Sequence, residues 1–222
     1  IDFQGQITVP SLCRNMINAI GQNIRKEGYG IDVLKRENLS WVLVRSAFEI
    51  DERPGLYVPL FVSVWPVPGS GLIFNRCVRI FNYEGREVGR GTTEWCVIDI
   101  STRHPVNPSI CAAGLDLSIP CKSPRRIRSF DPEFVDSRKV GYSDCDFNGH
   151  LNNTRYIEIL YDVLPHEILS RPSPVRLDIN YRHEASCGEN VSLGIKHESV
   201  DEYLFAAMVN DQMLCSASLQ MA

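Results

Sequence analysis

Between Gly141 and Tyr156 the chain reads Gly-Tyr-Ser-Asp-Cys-Asp-Phe-Asn-Gly-His-Leu-Asn-Asn-Thr-Arg-Tyr. Asp146, Asn148 and His150 alternate there with Phe147 and Gly149, immediately before a predicted helix. Three polar side chains are thus offered at a helix N-terminus, where unpaired backbone N–H groups and the positive dipole end favour a developing oxyanion. Gly149 is a point where the backbone could turn tightly or let a substrate approach. In the plainer reading Asp146 and Asn148 form a turn and Asn152 or Asn153 caps the helix. Those duties need no His, second Asn and Tyr at these positions as well, so the whole string reads as a site.

The elements that must position this string follow from periodicity. Asn152 to Leu164 predicts a helix whose Tyr156, Ile157, Leu160, Tyr161 and Leu164 share one face. Near the start, Cys13, Met16, Ile17, Ile20 and Ile24 make an earlier apolar stripe, with Pro10 and Ser11 as start signals and Gly28 and Gly30 as stops. Strands are expected over 39–50, 57–67, 72–83 and 86–100, and again over 175–181, 191–198, 203–209 and 213–219. A weak first strand over 3–9 and an extended run over 134–142 precede the two helices. From about Ser101 to Pro132 the chain turns proline-rich and carries the basic run Lys122-Ser-Pro-Arg-Arg-Ile-Arg128, a linker signature. Both halves therefore run strand, helix, then four strands, with domains expected over 1–120 and 121–222. Short connections favour antiparallel pairing, and one amphipathic helix per sheet must bury its stripe against it, which gives the class α+β.

At 222 residues the chain is ample for a sizeable core, and 44% hydrophobic against 23% charged residues excludes a disordered or collagen-like chain. A formal net charge of −4 argues against a global pull toward nucleic acid or an anionic membrane. No stretch nears the roughly 20 apolar residues of a spanning helix. The chain starts at Ile1 with no charged-then-apolar secretory segment, which leaves a removed leader or truncation open. The eight cysteines form no Cys-x-x-Cys pair and lack histidines at zinc spacing, so no metal and a reducing compartment are expected.

The string Asp-Phe-Asn-Gly-His-Leu-Asn-Asn-Thr-Arg-Tyr resembles the Asp-x-Asn-x-His-x-Asn-Asn-x-x-Tyr signature of the acyl-acyl carrier protein thioesterases, which end fatty-acid synthesis by hydrolysing the acyl thioester. Downstream, Leu177-Asp-Ile-Asn-Tyr-Arg-His-Glu-Ala-Ser-Cys-Gly-Glu189 is similar to the family's Tyr-Arg-Arg-Glu segment, with Glu184 at its catalytic Glu. Trp41-Val-Leu, Val64-Trp-Pro66 and Glu94-Trp-Cys-Val-Ile-Asp99 extend the likeness through the first half. Plant members place a Cys directly after that Glu. Here Ala185 follows and Cys187 comes two residues later, a pattern more like the bacterial members.

The resemblance implies a double hotdog, each half an antiparallel sheet curled around one long helix. It implies a catalytic set of Asp146, Asn148, His150 and Glu184, with the division of labour between general base, water positioning and direct attack by Asp146 left open. Read alone, Glu184 beside Arg182 and His183 would be half of a surface ion pair. An acyl tunnel in the first half would draw on Met16, Ile20, Ile24 and Trp41, with Asn152 and Asn153 at its catalytic end. Otherwise the helix stripe and the tryptophan are core. The basic run Lys122, Arg125, Arg126 and Arg128 is either a solvated linker or a docking patch for an acidic acyl carrier protein. Implied with these are a cytoplasmic enzyme without cofactor, monomeric or homodimeric. Acyl-CoA hydrolysis on the same fold and non-catalytic acyl binding are the rival functions.

Overall fold

The computed structural model describes residues 1–107, 118–169 and 174–221. Cys111 and the remainder of the proline-rich segment over 108–117 lie outside the described residues.

The first helix, α1 (Val9–Lys26), starts where Thr8 Oγ1 accepts the Ser11 N–H at 3.2 Å, and Pro10 occupies its first turn. It ends with Arg25 and Lys26 at the negative dipole end and with Gly28 at φ +88°. A short helix, α2 (Ile31–Leu34), leads into β1 (Leu39–Ile50), β2 (Leu60–Ser70), β3 (Ile73–Asn82), β4 (Glu87–Asp99) and the two-residue β5 (Pro105–Val106). The second half holds β6 (Glu133–Lys139), α3 (Asn153–Asp162), the one-turn α4 (His166–Leu169), and β7 (Val175–Tyr181), β8 (Asn190–Ser199), β9 (Glu202–Val209) and β10 (Gln212–Met221).

One ten-stranded sheet results, in the order β2-β3-β4-β1-β7-β10-β9-β8-β6, with β5 on β4. Read outward from the centre, β1-β4-β3-β2 and β7-β10-β9-β8 are the same path taken twice. The halves meet where β1 pairs antiparallel with β7, from Arg45 opposite Asn180 to Ile50 opposite Val175. That repeat, with a helix packed under each half-sheet, is the expected α+β double hotdog. Its core joins the α1 stripe (Leu12, Cys13, Met16, Ile20) to the α3 stripe (Tyr156, Ile157, Leu160) beneath Phe48, Ile80, Leu177 and Phe205. Between the helices, Arg14 and Glu158 form an ion pair at 2.7 Å.

The weak first strand is absent. Asp2 Oδ1 accepts the N–H groups of Gln4 and Gln6 at 2.9 and 3.0 Å, and Gly5 sits at φ +74°, so the segment curls instead of extending. Its counterpart β6 does pair with β8, leaving β2 as the opposite edge.

Nor is the described end of the linker loose. Residues 121–128 strap the outer side of the sheet, with Cys121, Pro124 and Ile127 turned inward. The buried Asp178 accepts the Arg125 N–H at 2.9 Å, while Asn180 accepts the Ile127 N–H at 3.2 Å and donates to the Arg125 carbonyl at 2.8 Å. The strap backbone thus satisfies the buried Asn180 and adds to the ion pair that Arg176 makes with Asp178 at 2.8 Å.

Candidate active site

The string from Cys145 to Leu151 folds as a tight hairpin. Cys145 bridges Leu151, the Asp146 N–H donates to the His150 carbonyl at 2.8 Å, and the Gly149 N–H returns to the Asp146 carbonyl at 3.0 Å. Gly149 is at φ +80°, the left-handed region that a side chain would strain. Asp146 Oδ1 accepts the Asn148 N–H at 2.8 Å and the His150 N–H at 3.4 Å. The turn-forming role weighed from sequence is therefore real, and it occupies one carboxylate oxygen.

The hairpin then adds to the chain just after β7. The Leu151 N–H donates to the Ala185 carbonyl at 2.8 Å, the Cys187 N–H donates to the Gly149 carbonyl at 3.3 Å, and His150 bridges Ser186. That pairing carries Glu184 to His150, with Oε2 at 3.5 Å from Nδ1. The two motifs, far apart in sequence, thus meet through backbone register.

Asp144 braces the base of the hairpin. Its side chain is buried, accepting the Gly141 N–H at 2.9 Å and Arg155 Nη2 of α3 at 2.8 Å. Burial alone would raise its pKa, but the Gly141 N–H and the guanidinium groups of Arg155 and Arg138 outweigh it and hold the carboxyl below its ordinary value. Asn152 caps α3, its Oδ1 accepting the Thr154 N–H at 2.9 Å.

A cavity of about 670 Å³ connects these groups to the N-terminal half. It is lined by Asp146, Asn148 and the first turn of α3 (Asn152, Asn153), by an apolar wall of Ile17 and Ile24 of α1 with Trp41 and Trp95, and by Asn18, Gln22 and Arg25 of α1. Trp41 is fixed by its Nε1 donating to the Tyr29 carbonyl at 2.9 Å and by edge-on contacts with Trp95 and Phe74 at 6.4 and 5.4 Å. The cavity thus pairs an apolar wall with hydrogen-bonding groups and a helix N-terminus.

The sequence-predicted residues fall into groups. Asp146 and Asn148 face the cavity; His150 and Glu184 pair beside it, joined to them through the hairpin backbone. Ile24, Trp41, Asn152 and Asn153 are on the wall, whereas Met16 and Ile20 are fully buried in the core and do not line it. Lys122, Arg126 and Arg128 are exposed, but the Arg125 guanidinium is engaged by Glu202 and by Ser218 Oγ at 2.7 Å.

Two cations of the N-terminal half also reach the site. Arg103 Nη2 donates to Glu184 Oε2 at 2.5 Å, and Lys35 Nζ lies 4.6 Å from the centre of the Phe147 ring. Sequence could mark the Asp99–Arg103 stretch as a turn but held no signal of its destination. Desolvation, the Cys187 thiol and the carboxylates of Asp144 and Asp146 all push the Cys145 thiol above its ordinary value. Among the described residues no cluster of His, Cys, Asp and Glu could hold a metal, and no helix is long and apolar enough to cross a membrane.

The fold and site define a double hotdog with a polar hairpin set against an apolar cavity, and comparison with known proteins gives the family. Residues 1–113 match the acyl-ACP thioesterase N-terminal domain, and residues 128–220 match the acyl-ACP thioesterase C-terminal domain. The chain belongs to the acyl-ACP thioesterase family. It is similar to a crystal structure of an acyl-ACP thioesterase from Bacteroides thetaiotaomicron, with TM-score 0.91 and 28% identity over 100% of this chain and 93% of that one. A 12:0-ACP thioesterase from Umbellularia californica shares the fold, with TM-score 0.89 and 14% identity over 100% and 92% of the two chains. Among curated relatives, the oleoyl-acyl carrier protein thioesterase of Coriandrum sativum is 25% identical over 212 residues, covering 85% of this chain and 57% of the relative. A chloroplastic acyl-[acyl-carrier-protein] hydrolase of Cuphea viscosissima is 25% identical over 171 residues, 71% of this chain and 41% of the relative. The chain thus spans about half the length of the curated relatives it matches.

Proposed function

We propose that this chain hydrolyses fatty acyl-[acyl carrier protein] thioesters to the free fatty acid and the carrier protein, without cofactor, in the cytoplasm. The observation that carries the reading is the cavity of about 670 Å³, lined by an apolar wall together with Asp146, Asn148 and the first turn of α3. An acyl chain lies along the wall contributed by residues 1–120, and its thioester meets the chemistry contributed by residues 121–222. Glu184 Oε2 at 3.5 Å from His150 Nδ1 orients the imidazole and leaves Nε2 for a water molecule. Water oxygen bonds to the thioester carbon, His150 takes the proton, and the C–S bond breaks as the carrier's thiolate leaves and recovers that proton. Asn148 and the α3 N-terminus stabilise the oxyanion. Attack by Asp146 itself, giving an anhydride, is the rival route. Lys122, Arg126 and Arg128, exposed along the strap, steer the acidic carrier.

The test is hydrolysis of a panel of acyl-carrier-protein and acyl-CoA substrates of graded length by the wild type, Asp146→Asn and Glu184→Gln. Carrier-protein turnover that falls about 10²- to 10⁴-fold in Glu184→Gln is the expected result. Single turnover in ¹⁸O-water, with label found in Asp146 rather than only in the fatty acid, would replace the water route by the anhydride. Charge reversal at Arg126 and Arg128 raises KM for carrier-protein substrates and spares acyl-CoA. Preferential turnover of acyl-CoA would make the chain an acyl-CoA thioesterase, and saturable acyl binding without hydrolysis would make it a non-catalytic binder.

A further inference from the structure

We propose that Arg103, which lies in the N-terminal half, is a positioning residue for the C-terminal site: it fixes Glu184 against His150, so the machinery is complete only when both halves are in place. The inference rests on the thioesterase reading above and adds to it a residue outside the motifs.

One oxygen of Glu184 is shared. Oε2 accepts from Arg103 Nη2 at 2.5 Å and lies 3.5 Å from His150 Nδ1. The Glu184 side chain is 39% exposed, so without a second anchor its torsions are free to swing the carboxylate into solvent. A guanidinium on the oxygen that serves His150 removes that freedom where it bears on the chemistry.

The turn that presents Arg103 is built for the task. Asp99, at the end of β4, accepts the Thr102 N–H on Oδ1 at 2.7 Å and the Asn38 amide on Oδ2 at 3.1 Å. Its backbone carbonyl accepts the Arg103 N–H at 2.8 Å, and its N–H donates to the His104 carbonyl at 3.0 Å. Arg103 itself is at φ +62°, a left-handed conformation that strains a non-glycine residue. The turn, tied down on both sides, holds this conformation and aims the side chain across the boundary between halves. Arg103 reaches the site through its hydrogen bond to Glu184 Oε2, and neither residue lines the cavity.

The contrasting account is a surface ion pair of no consequence, since the Arg103 side chain is 56% exposed and such pairs contribute little. The two accounts separate in steady-state kinetics on an acyl-carrier-protein substrate, using the wild type, Arg103→Ala, Arg103→Lys, Glu184→Gln and the double variant. Arg103→Ala lowers kcat about 10- to 100-fold with KM and thermal midpoint little changed. Arg103→Lys recovers part of the loss, as does guanidinium added to Arg103→Ala below denaturing concentrations. In the Glu184→Gln background, Arg103→Ala adds no further loss. A wild-type kcat in Arg103→Ala overturns the proposal, and so does full additivity in the double variant, which would place Arg103 on the substrate. If the wild type hydrolyses no thioester, the thioesterase reading falls. The pairing is then read without turnover from the ¹³C resonance of the Glu184 carboxylate at neutral pH. A shift on Arg103→Ala supports the positioning of Glu184, and an unmoved resonance overturns it.

Discussion

The two halves repeat one strand path but brace their contributions to the cavity by different physics. The N-terminal half presents α1, 18 residues long, and holds it by a stripe of fully buried apolar side chains. Most of its contact with the site is apolar shape, from Ile17, Ile24, Trp41 and Trp95, with Arg103 and Lys35 as its two cationic reaches. The C-terminal half has a 10-residue α3 and holds its hairpin by charge and hydrogen bonds, chiefly Asp144 between Gly141 and Arg155. A wall needs only to exclude water and set length, which non-directional packing does. A hairpin that must present Asp146, Asn148 and His150 in a fixed relation needs directional contacts. The same strand path therefore carries two kinds of surface, an apolar one in the first half and a polar, hydrogen-bonded one in the second.

The effect that would break this contrast most directly lies in the polar brace. Asp144→Ala leaves the Gly141 N–H without its acceptor and Arg155 with Glu158 alone, and should destabilise the chain by about 1–3 kcal/mol, measured by urea unfolding. The brace is also acid-sensitive. Because the folded-state pKa of Asp144 is held below its ordinary value, its contribution is fully present above the unfolded value of about 3.9 and is lost as pH falls through the folded one. Below about pH 4 the wild type should therefore lose stability more steeply than Asp144→Asn. Parallel curves for the two would show that the hairpin does not depend on this charge.

A second effect sharpens the apolar side by separating residues that sequence grouped together. Met16 is fully buried and off the cavity wall, whereas Ile24 is on it. Met16→Ala should cost about 2–5 kcal/mol of stability and leave the acyl-length profile unchanged. Ile24→Ala should move the profile toward longer chains at less cost in stability. A profile that follows Met16 instead would assign length selection to core packing rather than to the wall.

That distinction marks how far sequence reaches. The strands over 39–50 and 175–181 were legible to the residue because both are runs rich in β-branched, aromatic and aliphatic residues, the composition of strands buried on both faces. The Asp146–Asn153 string was legible because a contiguous hairpin carries its chemistry in order. Helical periodicity says that Met16, Ile20 and Ile24 share a buried stripe, but the stripe faces a sheet along part of its length and a cavity along the rest, and only packing decides which. The strand expected over 3–9 failed to a local competitor, the Asp2 side chain bonding to its own following backbone. Arg103 was illegible in principle, since its partner lies 81 residues away in the other half and meets it only once the two halves have packed.

The smallest predicted effect tests whether the halves cooperate at the hairpin itself. Lys35 follows α2 in the N-terminal half, and its ammonium lies 4.6 Å from the Phe147 ring between Asp146 and Asn148. Phe147 is 63% exposed, so the contact has the magnitude of a solvated cation–π pair, about 0.5–1 kcal/mol. Global unfolding hardly registers such a term, but the hairpin does. Lys35→Ala should raise amide exchange at Asn148 and Gly149 about 2- to 5-fold, the factor that energy corresponds to, and leave exchange in β7 and β10 unchanged. Arg at position 35 should preserve protection, because a guanidinium also stacks on an aromatic face. Exchange that rises equally across α1 and the hairpin would mean that Lys35 supports its own half rather than the hairpin.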